Sequence, residues 1–138
     1  MKPPKWALDL TRDVVIYLID QGVQVSLPLV KWRHCFRVTS SGTCYPHYIS
    51  ISAGLSRIDA KLVLLHELSH WGLPEYKNKY WVFHFDWDIK NHEGHTPRFW
   101  ALAWQLYRHY KLPIRYCKQR EGEYRKGALI AYRLTKGF

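Results

Sequence analysis

The chain has 138 residues, of which 47% are hydrophobic and 16% aromatic, and it carries 21 Lys and Arg against 11 Asp and Glu, a net charge of +10. This aromatic content excludes a largely disordered chain, because disordered segments are poor in aromatic residues. No apolar run approaches the ~18 residues of a membrane-spanning helix, and the N-terminus lacks the apolar stretch of a signal peptide. We therefore expect a single folded domain over residues 1–138, cytoplasmic and without membrane association.

The positive charge is concentrated towards the C-terminal end of the sequence. Residues 1–97 contain 11 basic and 9 acidic side chains, whereas residues 98–138 contain 10 basic and 2 acidic ones. A basic segment of this kind attracts polyanions, because their binding releases condensed counterions. The basic C-terminal extension, about residues 113–138, therefore predicts a nucleic-acid partner such as DNA. A solvated face that binds nothing is the alternative.

The cysteine content argues against a disulfide framework. The three cysteines, Cys35, Cys44 and Cys117, are odd in number and form no Cys-x-x-Cys pair. This pattern excludes a zinc ribbon as well. We expect free thiols in a reducing compartment.

The first half of the chain shows helical and then strand-like periodicity. Apolar residues at helical spacing predict a first helix over residues 9–21, with Gly22 at its C-terminal end. Alternation of apolar and polar residues over 23–27 predicts a half-buried strand. Residues 31–38 and 45–52 are rich in β-branched and aromatic side chains, and the turn residues 40–43 between them predict a β-hairpin.

Two further helices have clear start signals. Ser56 is a good N-cap for a second helix, which Gly72 and Pro74 end. Thr96 followed by Pro97 predicts the start of a third helix, since Thr caps and Pro suits the first helical position. Residues 75–95 read as a long connection, and residues 128–134 as either a strand or a helical turn.

The second helix contains an HExxH motif formed by His66, Glu67 and His70. Histidines four residues apart lie above one another on one helix face, where two imidazoles can hold one Zn²⁺. Glu67 is placed to take a proton from a zinc-bound water, whose pKa the metal lowers to about 7. Two ordinary histidines of an amphipathic helix are the alternative.

A catalytic zinc site takes three protein ligands and leaves one position open. The candidates for the third ligand are His84, Asp86, Asp88, His92, Glu93 and His95. We favour His95, because it immediately precedes the predicted third helix and its backbone is anchored there. His92, three residues upstream, is the close competitor. The acidic candidates also suit hydrogen bonding to a ligand imidazole.

The two motifs together resemble those of the SprT-like (Spartan-like) zinc metallopeptidases and the small metallohydrolases related to them. In those proteins an HExxH helix is followed, a few tens of residues later, by a His-Gly-Pro-x-Phe segment that opens a helix. Here His95, Pro97 and Phe99 match that segment, and Thr96 stands in place of the glycine. The resemblance covers roughly residues 45–110 and depends on these two short motifs.

The resemblance implies that His66, His70 and His95 ligate zinc and that Glu67 is the general base. It also implies cleavage of proteins bound or crosslinked to DNA. The sequence departs from the family after this region: Spartan-like proteins often carry a cysteine-rich zinc element there, and only Cys117 is present.

We therefore predict an α+β, zincin-like domain with a small, mostly antiparallel sheet packed on the HExxH helix and two or more further helices. Its predicted activity is zinc-dependent peptide hydrolysis, with a protein or peptide as substrate. An effector that cleaves one host protein would share this chemistry. The alternative from another class is a basic nucleic-acid-binding protein with a structural or vestigial metal site. Zinc is the preferred metal, although Co²⁺, Ni²⁺ and Mn²⁺ also occupy such sites.

Overall fold

The computed structural model describes residues 2–34, 41–73, 95–124 and 126–134. The backbone groups into two compact units, Met1–Glu75 and Tyr76–Phe138, which are described one at a time. The described ranges contain five helices and one three-stranded sheet, so the predicted α+β class is confirmed. The expectation of one domain over 1–138 stays a prediction.

The first unit contains two helices and three strands in its described ranges: α1 (Lys5–Asp20), β1 (Leu29–Arg33), β2 (Gly42–Cys44), β3 (Tyr48–Ser52) and α2 (Arg57–Gly72). The second unit contains three helices in its described ranges: α3 (Pro97–His109), α4 (Ile114–Tyr124) and α5 (Lys126–Leu134). Within these segments, none of the helices combines the length and apolarity that crossing a membrane requires.

The C-terminal end of α1 and the start of α2 follow their sequence signals, whereas α1 begins at Lys5, four residues before the predicted start at residue 9. Gly22 has φ +86°, and its N–H donates to Ile19 O at 2.9 Å, while Val23 N–H donates to Leu18 O at 2.9 Å. This pair of bonds is the Schellman arrangement that a glycine past the helix end permits. The Ser56 hydroxyl accepts the N–H of Asp59 at 3.3 Å, so the predicted N-cap of α2 is confirmed.

The sheet is mixed, in the order β1-β3-β2. β1 runs parallel to β3, and β2 runs antiparallel to β3. The prediction of a mostly antiparallel sheet is therefore wrong. So is the hairpin with its turn at residues 40–43, because Gly42 lies in β2 and the connection to β3 follows Cys44. Strand propensity identified extended segments, but it does not determine which of them pair.

The strand predicted over residues 23–27 is also wrong, because that segment is irregular. The Ser26 carbonyl accepts the indole N–H of Trp71 at 2.8 Å, and Pro28 has no N–H to give to a neighbouring strand. The segment is thus attached to the end of α2 rather than to the sheet.

Helix α2 is the central element of the first unit and packs against β2, β3 and α1. It is buried on every side over residues 62–69, as expected of a helix in the interior of a fold. On the sheet, Ile49 and Ile51 are fully buried. The predicted packing of the sheet on the HExxH helix is confirmed.

In the second unit, α3 packs against α4 and α5. Trp100, Trp104 and Tyr107 of α3 are fully buried. The Trp104 indole donates to Ala128 O in α5 at 3.1 Å, which satisfies its N–H within the core. Residues 128–134, for which the sequence left strand or helix open, belong to α5.

Candidate metal centre

Helix α2 presents two imidazoles on one face. The ring centroids of His66 and His70 are 5.2 Å apart, with an angle of 67° between the ring planes. The separation follows from the helix itself, since residues four apart lie one turn above each other. His66 is 8% exposed and His70 is half-buried.

Glu67 is the buried carboxylate of the motif. It is only 6% exposed. Burial raises the pKa of the Cys44 thiol to about 12, and the negative charge of Glu67 is the second cause of that rise. The Glu67 side chain lies against β2, since a Cβ built on Gly42 would be 3.2 Å from its Cγ atom, and its negative charge disfavours a thiolate there.

His95 is fixed by the start of α3. Thr96 is the N-cap, and its hydroxyl accepts the N–H of Phe99 at 3.2 Å. The His95 ring meets the Phe99 ring edge-on at a centroid distance of 5.0 Å and stacks on the Trp100 ring at 5.7 Å. His95 is 4% exposed, so its ring is packed as well as anchored.

The three histidines form a cluster that is close enough to bind one metal ion. His66, His70 and His95 each offer a ring nitrogen, and these atoms all lie within 4.8 Å of one another. The other candidates for the third ligand, which lie outside the described residues, are His84, Asp86, Asp88, His92 and Glu93.

The chemistry of the donors fits zinc. Catalytic zinc is commonly bound by three protein ligands, which can all be histidines, and its fourth coordination position stays open. Imidazole is also a ligand for other transition metals, so the donor set favours zinc without determining it. Two of the three rings are buried, which limits the competition of bulk water for the ligand nitrogens.

Two further polar side chains make hydrogen bonds within their own units. The hydroxyl of Ser69, within the HExxH motif, donates to Leu65 O at 2.8 Å inside the helix. In the second unit the Tyr107 hydroxyl donates to Glu121 at 2.8 Å. Glu121 is 7% exposed, so this carboxylate belongs to the interior of that unit.

The sequence did not indicate that β2 packs against Glu67. Gly42 was expected in a turn, yet it lies in the strand that faces α2. A glycine in a turn and a glycine at a close contact look the same in one sequence. A tyrosine hydroxyl or an arginine near the motifs in sequence could stabilise an oxyanion. Of the three such residues, Arg98 is half-buried in the first turn of α3, and Tyr76 and Tyr80 lie outside the described residues.

The surface of the second unit is basic in its described part. Its only described acidic side chain is the buried Glu121. The described basic side chains, all exposed or half-buried, are Arg98, Arg108, Lys111, Arg115, Lys118, Arg120 and Arg133. Arg108 and Lys118 both lie over the ring of Tyr132, at 5.2 and 4.9 Å from its centroid.

Comparison of the chain with known protein families, with curated proteins and with solved structures yields no match in any of the three.

Proposed function

We propose that the protein is a zinc-dependent peptidase of the zincin type, like the SprT-like enzymes that its two motifs resemble. The observation that carries the proposal is the cluster of His66, His70 and His95, whose ligand nitrogens lie within 4.8 Å of one another, next to a buried carboxylate. A purely structural zinc site is closed by four protein ligands and has no use for that carboxylate.

Each residue of the site has a distinct task. The three imidazoles hold the ion, and Glu67 takes a proton from the attacking water and gives it to the leaving amine. Zinc, when bound, supplies a Lewis acid for the peptide carbonyl and lowers the pKa of water to about 7. The burial of Glu67 supports this role, because it keeps the carboxylate inside the site beside the imidazoles of the same helix.

Hydrolysis by the zinc-loaded protein tests the proposal. The wild type, stripped of metal and reloaded with one equivalent of zinc, is assayed on a library of quenched fluorescent peptides and on unfolded casein. Glu67→Gln should still bind zinc but hydrolyse peptides about 10²–10⁴-fold more slowly, since this is the usual contribution of a general base. Glu121→Gln is the matched control, since it alters another buried carboxylate and should keep the rate.

Two outcomes contradict the peptidase. In one, the zinc-loaded wild type cleaves none of the peptides. In the other, Glu67→Gln and the wild type cleave at the same rate. Either result favours the alternative of a metal site that only supports structure.

We also propose a nucleic acid as partner, which would direct the peptidase to nucleic-acid-associated proteins. The supporting observation is the described surface of the second unit, which carries seven exposed or half-buried basic side chains, while its one described acidic side chain is buried. Each basic side chain that meets a phosphate releases counterions, so binding should weaken steeply with salt.

Fluorescence anisotropy of a labelled DNA duplex, measured over a series of salt concentrations, tests this partner. A triple variant with Lys111, Arg115 and Arg133 changed to Glu should bind at least about tenfold more weakly and show a shallower salt dependence. In the control variant, the exposed residues Lys2, Lys5 and Arg12 of the first unit are changed to Glu, which alters the net charge by the same amount. An equal loss of DNA affinity in the two triple variants would mean that net charge alone is responsible, and it would rule out the second unit as the binding surface.

A further inference from the structure

Strand β2 contacts the HExxH helix at the turn that contains Glu67. Gly42 pairs with Ile51 of β3, and Cys44 pairs with Ile49. Directly paired residues of neighbouring strands lie on the same face of a sheet. Because both isoleucines are fully buried, Gly42 and Cys44 lie on the core face, against which α2 packs.

There is no room for a side chain at residue 42. A Cβ placed on Gly42 would lie 2.5 Å from Cγ1 of Val63, and 3.2 Å from both Cγ of Glu67 and Cδ1 of Ile51. Val63 and Glu67 are four residues apart and share one face of α2. The space that a side chain would take is therefore occupied by the helix, including the stem of the proposed general base.

The electrostatics of Cys44, two residues after Gly42, agree with this contact. Burial raises the pKa of the Cys44 thiol, and the negative charge of Glu67 is the second cause. The stem of Glu67 lies against Gly42, on the side of α2 that β2 covers.

We infer that Gly42 is a positioning residue for Glu67: by bringing β2 close to α2, it fixes where the carboxylate stands relative to the imidazoles of the same helix. The inference rests on the proposed role of Glu67. Gly42 touches neither substrate nor metal, and it acts only through the side chain that packs on it.

The test compares Gly42→Ala with Gly54→Ala in the zinc-loaded enzyme. A Cβ on Gly54 meets nothing within 4 Å, so this variant controls for the change of residue type. Gly42→Ala should lower kcat by about 10–100-fold, because a displacement of a catalytic group by about 1 Å has an effect of that order. KM and zinc content should stay close to those of the wild type, and Gly54→Ala should match the wild type throughout.

A rescue separates positioning from a general loss of structure. Val63→Ala removes the Cγ1 atom that an alanine at 42 meets first, so Gly42→Ala combined with Val63→Ala should recover most of the kcat of Val63→Ala alone. If Gly42→Ala fails to fold, the double variant carries the test in its place. A double variant that folds, holds zinc and has no activity would overturn the inference.

The outcomes distinguish this inference from the proposed function. A wild type that hydrolyses no peptide overturns both. An active wild type whose kcat is unchanged by Gly42→Ala overturns the positioning role alone and leaves the peptidase intact. A rise in KM at constant kcat would likewise contradict it, since Glu67 is proposed to act in the chemical step.

Discussion

The molecule holds its candidate ligands in two different ways. His66 and His70 lie in the middle of α2, where the helix repeat alone sets their spacing, and their ring centroids are 5.2 Å apart. His95 lies outside α3, one residue before its N-cap, and its ring is held by Phe99 and Trp100. One pair of ligands is fixed by backbone periodicity and the other ligand by a cap and aromatic packing.

Because the ligands are held differently, substitutions near them should affect metal affinity to different degrees. The ligands on α2 keep their relative position as long as the helix is formed, because each turn is fixed by the backbone hydrogen bonds. The position of His95 depends on the Thr96 cap and on the ring contacts with Phe99 and Trp100. We therefore expect substitutions near His95 to lower metal affinity even where no ligand is altered, whereas comparable substitutions around α2 should leave metal affinity unchanged.

The largest expected effect is the loss of zinc-dependent stabilisation. Zinc at a free concentration of 1,000 times its Kd should stabilise the wild type by about 4 kcal/mol. In thermal unfolding, His66→Ala should show no stabilisation by zinc, because only two imidazoles would remain to hold the ion. His109→Ala, which alters an exposed histidine in the last turn of α3, is the control and should keep the shift. A shift of equal size in His66→Ala would exclude that residue from the site.

A smaller effect should separate two buried tryptophans of α3. Trp100→Phe and Trp104→Phe should each lower stability by about 1–3 kcal/mol, the usual range for altered core residues. Only the Trp100 ring stacks on His95, so Trp100→Phe should in addition weaken zinc binding by about 10-fold, in line with losses on removing groups that orient a ligand. Competition with a fluorescent chelator measures both affinities, and equal values would refute packing as the anchor of His95.

The two N-caps provide a finer comparison. Thr96→Ala and Ser56→Ala should each reduce the free energy of unfolding by about 1 kcal/mol, the typical contribution of such a cap. Thr96 adjoins His95, while Ser56 lies ten residues before His66. Only Thr96→Ala should therefore lower zinc affinity, by a few-fold in the same competition assay. A loss of affinity in Ser56→Ala would show that helix stability, rather than the cap, controls the site.

The smallest expected effect concerns one thiol in each unit. Burial, followed by the charge of Glu67 or Glu121, raises the pKa of Cys44 and of Cys117 from 9.0 to about 12. Since the unfolded chain ionises first as the pH rises, stability should fall between about pH 9 and pH 12. Glu67→Gln should lower the pKa of Cys44 alone, and Glu121→Gln that of Cys117 alone.

Alkylation with iodoacetamide across this pH range, followed by peptide mapping, measures each thiol separately. Burial remains in both variants, so each pKa should stay above its ordinary value. Equal alkylation of Cys44 in the wild type and Glu67→Gln would contradict the proximity of the carboxylate to β2.

The helices of the candidate site could be predicted because their signals are local. Ser56 and Thr96 are caps whose hydroxyls accept the expected N–H groups, and Gly22 ends α1 with the positive φ expected of it. The spacing of His66 and His70 follows from one helical turn. Each of these features involves residues within about one turn of one another, which is the range over which sequence patterns are informative.

The sheet could not be predicted because its pairing is not local. The parallel pairing of β1 with β3 joins Leu29 to Tyr48, and nothing in either segment specifies that direction. Gly42 resembled a turn residue, yet its small size is required by the contact with Val63 and Glu67 across the core. The contact between β2 and Glu67 could not be predicted for the same reason.

Zinc stoichiometry by elemental analysis is the most direct test of the central claim, that His66, His70 and His95 together hold a metal ion. The wild type, His95→Ala and His92→Ala are purified without chelators and dialysed against zinc. We expect one zinc per chain in the wild type and in His92→Ala, and none in His95→Ala. A wild type that takes up no zinc, or a His95→Ala variant that retains it, would exclude this set of ligands.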